Sequence, residues 1–158
     1  MIVMSQKKTV NVHYESKKSV ITRNHTTDSR KIIWTFENVD KDGYFAFDVN
    51  RDDFQPLEIF DKMIFYSKMT WADIKKATHD NGKSKHHFLD MDKLSKQAKK
   101  RVAKKGLSEN SDSIFSFALQ NKLRVIGRRE NEFFHVLWYD PNHEFCPSRN
   151  NKKKVTHL

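Results

Sequence analysis

LRVIGRRENEFFHVLWYDPNHEF, Leu123 to Phe145, holds two runs rich in β-branched and aromatic residues, joined at Glu130-Asn131 and closed by Asp-Pro-Asn. Such runs, bounded by turn residues, predict two antiparallel strands. Strict alternation places Arg124, Ile126 and Arg128 on one face of the first strand. On the second, Phe133, His135, Leu137 and Tyr139 share a face, and Phe134, Val136, Trp138 and Asp140 share the other. Upstream, IFSFALQ ends near Asn121 and adds a third strand, so the C-terminal half predicts a meander.

Working outward, Lys31 to Phe36 and Gly43 to Val49 are two further β-rich runs, separated by NVDKDG, whose Asp42-Gly43 is a hairpin turn signal. Pro56 can open a helix, with Leu57, Phe60, Met63 and Ile64 recurring at helical spacing on a core-facing side. Thr70 with Asp73 makes a capping box for a short second helix that should end near Asn81-Gly82. A third helix follows, with Leu94, Ala98 and Val102 as a thin apolar stripe, Asp90 or Asp92 as a cap and Gly106 as the stop. The expected fold is α+β: an antiparallel sheet of about five strands with two or three helices packed on one face. Residues 1–30 form a basic arm, with an edge strand conceivable at Val10, Val12 and Tyr14. Residues 31–148 form the domain and 149–158 a basic tail.

Thirty Lys and Arg against 20 Asp and Glu give a net charge of +10 and bias the partner toward a polyanion, nucleic acid first among them. Charge of this kind also serves solubility or an acidic protein partner. Cys146 is the single cysteine, which excludes an internal disulfide and points to a reducing cytoplasm. No stretch reaches the roughly 18 apolar residues of a membrane helix, and the N-terminus has no signal-peptide core.

If register brings Arg124 and Arg128 beside His135 and Tyr139, two guanidinium groups, an imidazole and a phenol gather on one surface. Arginine grips phosphate and stabilises a pentacovalent transition state, and histidine moves the proton of a 2′-hydroxyl or a leaving oxygen. Arg129 extends the phosphate grip, and Tyr139 can stack on a base or donate a hydrogen bond. The Asp140-Pro-Asn turn carries His143 and Glu144 to the sheet rim, where Glu144 could orient a histidine. An ordinary alternative is a core Tyr139, a half-buried His135 and a turn in which Asp140 bonds its own backbone. Lys96, Lys99, Lys100, Arg101 and Lys104 are candidate phosphate contacts on the basic helix. His86-His87, even with Asp90 or Asp92, lack a metal-ligand spacing, and no nucleotide-cofactor motif is present, so neither metal nor cofactor is expected.

The sequence of helices, a strand opening LRV, a short turn, FFHVLWYD and a closing His143 resembles the RelE/ParE-like toxins of bacterial toxin–antitoxin systems, over about Leu57 to Phe145. The resemblance implies a small basic α+β protein that cuts mRNA on the ribosome or acts on DNA gyrase, paired with an antitoxin covering its active surface. Arg124 matches the family's strand-opening arginine and His143 falls near its terminal His-Tyr. Phe145 stands where a tyrosine is usual, and the DPN insertion and the first 55 residues depart from the pattern. Two rival functions stand beside a metal-independent endoribonuclease toxin: a nonenzymatic nucleic-acid-binding module, and a phage or mobile-element protein that binds an acidic host protein.

Overall fold

The computed structural model describes residues 26–148; the possible strand at Val10 to Tyr14, most of the basic arm and the basic tail lie outside that range. Five strands form one sheet: β1 (Ile33–Thr35), β2 (His87–Phe88), β3 (Ile114–Ala118), β4 (Arg124–Glu130) and β5 (Phe133–Asp140), in the spatial order β1-β5-β4-β3-β2. The α+β class and the meander β3-β4-β5 are as the alternation predicts, with Asn121 and Asn131 at positive φ in the two turns. One pairing departs from the antiparallel plan, because β1 runs parallel to β5. The run from Gly43 to Val49 makes no hairpin with β1: it contributes only a bridge from Ala46 to Trp138, and Phe45 packs into the core.

The helices are α1 (Pro56–Tyr66), α2 (Trp71–Lys76) and α3 (Lys96–Lys104). The Thr70 and Asp73 capping box forms in full and starts α2, which ends at Lys76, short of Asn81-Gly82. Ser95 caps α3 by accepting from Ala98 N, whereas Asp90 caps a separate 3-10 turn at Met91–Lys93. The helices lie on both sides of the sheet. Ile59, Met63, Tyr66, Trp71 and Ile74 pack with Phe115, Phe117, Val125 and Phe134 on one face. Ala98 and Val102 pack with Ile114, Ile126 and Trp138 on the other.

The core side of α1 is Ile59, Met63 and Tyr66: of the expected set Leu57, Phe60, Met63 and Ile64, Met63 is in the core and the other three point to solvent. Seven of the eleven residues of PLEIFDKMIFY are large and apolar or aromatic, so more than one face satisfied the helical period.

A bulge in β5 decides what the sheet presents. Ile126 pairs with Trp138 and Gly127 with Val136, leaving Leu137 as the extra residue. Leu137 and Trp138 consequently share one side, and the alternation beyond them is inverted. Gly127 sits at the same point, where a Cβ would meet the His135 carbonyl and come 2.8 Å from Phe134 Cζ, so no side chain fits.

Candidate nucleic-acid interface

The α3 side of the sheet carries Arg124, Arg128, His135 and Asp140, and the bulge removes Tyr139 from that group. Tyr139 lies in the opposite core, its hydroxyl donating to Asp53 O at 2.5 Å and accepting from Gln55 N at 3.1 Å. It is a packing residue with no surface to offer a base. Arg128 does pair with His135, as the register argument asked.

One end of β4 gathers Arg124, Asp140 and His143. Arg124 is paired in register with both Ala118 and Asp140, and its Nη1 donates to Asn121 O at 2.8 Å and Leu123 O at 3.0 Å. Asp140 accepts from Glu144 N at 2.9 Å and Phe145 N at 3.0 Å, which folds the chain back and holds His143 at φ 57°. Burial, then the charges of Arg124, His87 and His79, bring His143 down to about 4. It is neutral at pH 7, the form that accepts a proton. Burial pushes Asp140 up to about 6. Glu144 does not orient His143, because its carboxylate accepts from the Tyr44 hydroxyl.

His86, which sequence reasoning set aside with the metal question, joins this end. Its Nδ1 accepts from Ala118 N at 3.0 Å, fixing the proton on Nε2, and its ring meets Tyr66 at 4.8 Å between centroids. Burial, then the charges of Lys85, Arg124, His79 and His87, hold it at about 3. Unfolded imidazoles take a proton near 6.5, whereas folded His86 and His143 refuse it until far lower, so both remove stability as pH falls from 6.5 toward 4. Asp140 acts in the opposite sense between about 6 and 3.8 and offsets part of this. The expected result is that His86→Asn, which retains an acceptor for Ala118 N, recovers roughly 2–3 kcal/mol of the stability wild type loses between pH 6.5 and 4.5. Urea titrations at the two pH values measure it, and identical losses in the two proteins would contradict it.

The other end of β4 holds Arg128, Glu130 and His135 in a groove of about 370 Å³ that Lys105 and Leu107 close from the α3 side. Thr35 Oγ1 lies 2.7 Å from His135 Nδ1, and Glu130 lies 3.4 Å from Nε2 and 3.1 Å from Arg128. Exposed Phe133 and half-buried His135, two residues apart on this side of β5, have nearly parallel rings, 12° apart with centroids at 6.3 Å. His135 and His143 are thus at opposite ends of the sheet and cannot share one proton-transfer event.

α3 bridges the two ends. Ser95 N donates to Phe145 O at 3.0 Å, beside the His143 turn, and Lys105 follows the last helical turn into the Arg128 groove. Lys96, Lys99, Lys100, Lys104 and Lys105 are exposed and make no ion pair with a described residue. Arg101 is different: its Nε and Nη2 donate to buried Asp40 at 2.8 and 2.7 Å, which docks the helix. Arg129 is also withdrawn from any phosphate, with its side chain fully buried, paired to Asp28 at 2.7 Å and stacked 4.1 Å over Trp71. Each of these arginines meets a carboxylate more than 60 positions away, a pairing no local pattern reveals.

Among the described residues no three His, Cys, Asp or Glu side chains converge as metal ligands would, and no helix is long and apolar enough to cross a membrane. Taken together, these features define a five-stranded α+β protein with a lysine-bearing helix laid between two cation-and-imidazole clusters. The chain belongs to the family described as Uncharacterised protein UU032, which matches residues 54–158. No curated protein and no solved structure matches it.

Proposed function

We propose that the chain binds single-stranded RNA along α3 and cuts it at the Arg124–His143 end, as a metal-independent endoribonuclease acting in the cytoplasm. The observation that carries this is the line of exposed lysines, without an ion pair among the described residues, running between the two clusters, with cations and imidazoles at each end. Nine helical residues span about 13 Å, enough to track several phosphates. At the far end the Phe133 and His135 rings offer adjacent stacking surfaces whose spacing suits unstacked bases, with Arg128 beside them for phosphate.

In the cutting step the 2′-oxygen attacks phosphorus and gives its proton to neutral His143. The bond to the 5′-oxygen breaks, and that oxygen takes a proton from solvent. Arg124 faces the extra negative charge of the pentacovalent state. Toxicity through ribosome-bound mRNA, with an acidic antitoxin covering the α3 side, is the biological setting this chemistry suits.

A nonenzymatic RNA-binding module is the second reading. It is favoured by the commitment of Arg124 Nη1 to two carbonyls and by the exposure of only 9% of that residue. Both readings share the electrostatic grip. Changing Lys96, Lys99, Lys100 and Lys104 together to Ala is expected to reduce the slope of log affinity against log salt by up to about 2.8, at roughly 0.7 per phosphate contact. Fluorescence anisotropy with a short RNA measures this, and an unchanged slope would remove α3 from the interface.

A further inference from the structure

α3 carries basic residues and no acidic one, but the groove that opens beyond its last turn has a lining of mixed sign. Lys105 and Arg128 stand there with Glu37 and Glu130, and Asn38 adds an amide. Leu107 and Leu137 supply apolar surface in the same groove. A phosphate held inside would meet as many carboxylates as cations, whereas a flat neutral group with both donors and acceptors suits such a lining. On an RNA strand that group is a base. The volume of about 370 Å³ lies at the small end of ligand pockets, roughly 300–1,000 Å³, and so matches one nucleotide rather than a run of them. We infer that this groove is a guanine subsite, with Glu37 as the residue that selects the base; the inference rests on RNA binding along α3.

Part of the groove is already fixed. Glu130 lies 3.1 Å from Arg128 Nη2 and 3.4 Å from His135 Nε2, and Thr35 Oγ1 lies 2.7 Å from His135 Nδ1. With both ring nitrogens engaged, His135 has its ring face left for a ligand, beside the near-parallel ring of Phe133. Arg128 gives Glu130 only Nη2 and keeps its other donors for the adjoining phosphate. The side chains of Glu37, Asn38 and Lys105 differ, since they make no hydrogen bond or ion pair with a described residue. A fixed aromatic platform thus shares the groove with a carboxylate and an ammonium that no described residue engages.

Guanine fits that pair of groups and the other bases do not. Its N1–H and N2 amine are adjacent donors that one carboxylate accepts together, and its O6 and N7 accept from a lysine. Adenine and cytosine set a ring lone pair next to their amine, and uracil flanks its one donor with two carbonyls. Each of these would bring an acceptor up against Glu37, the mismatch that makes hydrogen-bond readout selective.

Fluorescence anisotropy on the full chain at physiological salt tests this with short oligouridines carrying one central G, A, C or inosine. The strands are 2′-fluoro-substituted, so no 2′-oxygen can cut them. A central G should tighten binding about tenfold over U, A or C. Inosine, which lacks only the N2 amine, should lose most of that gain. Glu37→Gln changes an exposed side chain and should bring G within about twofold of U. The salt dependence of oligouridine binding should stay that of the wild type in this variant, because the α3 lysines are untouched. Tight binding with no base preference, a preference for another base, or a gain for G that survives inosine or Glu37→Gln each overturns the guanine subsite and leaves RNA binding along α3 standing. Failure of every strand to bind overturns both.

Discussion

Replacing His143 by Asn is expected, on the proposed function, to lower RNA cleavage by about two to four orders of magnitude while leaving RNA affinity within about twofold. Asn is the replacement of choice because position 143 has φ 57°, a conformation Asn tolerates, so the turn and the Asp140 hydrogen bonds to Glu144 N and Phe145 N persist. The affinity should stay because, in the proposed complex, the lysines of α3 and not His143 would supply the electrostatic attraction. Arg124→Lys should lower the rate by about a hundredfold or more if Arg124 takes the proposed role, since a point charge would replace a planar fork. Arg124→Ala should lose cleavage altogether, with the lysine variant as the control for fold. The pH profile carries an independent sign: with His143 held near 4, the acid limb of kcat/KM falls near pH 4 instead of 6.5. Full activity in His143→Asn would leave the nonenzymatic reading, with the cutting due to something else.

Asp40→Ala destabilises the fold by about 3–5 kcal/mol, the cost of stranding a partner of a buried ion pair. Asp40 is 1% exposed and accepts from Arg101 twice, from Trp138 Nε1 at 2.8 Å and from Asp42 N at 3.1 Å. It ties three separate parts of the chain: the loop after β1, α3 and β5. Burial alone would raise its carboxyl, but the bonds from Arg101, Trp138 and Asp42 outweigh it and hold the group below 3.8. Stability from this group is therefore fully present above 3.8 and is lost as pH falls through the depressed folded value. Urea unfolding at pH 7 measures the loss. A change under about 1 kcal/mol would mean that the packing of Ala98 and Val102 and the Ser95–Phe145 bond hold α3 without Asp40.

The parts of this fold set by local chemistry are legible in the residues. Asn121 and Asn131 adopt the positive φ that tight turns require, Thr70 and Asp73 close a capping box, and Arg128 meets His135 in register. Alternation alone misplaces Tyr139, because one bulged residue, Leu137, reverses every side chain after it and only the glycine across from FFHVLWYD marks the bulge. The apolar residues of α1 surround most of the helix, so period alone has no unique answer and picks out Met63 but not Ile59 and Tyr66. Arg101 and Arg129 looked like phosphate ligands because a buried carboxylate partner distant in sequence leaves no trace near an arginine. For the same reason the sequence does not single out His86, since its role comes from the backbone of Ala118, a residue with no chemistry of its own.

The central claim, that single-stranded RNA lies along α3 between the two clusters, is tested most directly by photo-crosslinking a 4-thiouridine RNA to the full chain and mapping the modified peptides. Crosslinks that saturate, compete with unlabelled RNA and fall on Phe133 or His135, on α3 and on the His143 turn are the predicted result. Crosslinking that never saturates at physiological salt, or that concentrates on α1, would contradict it.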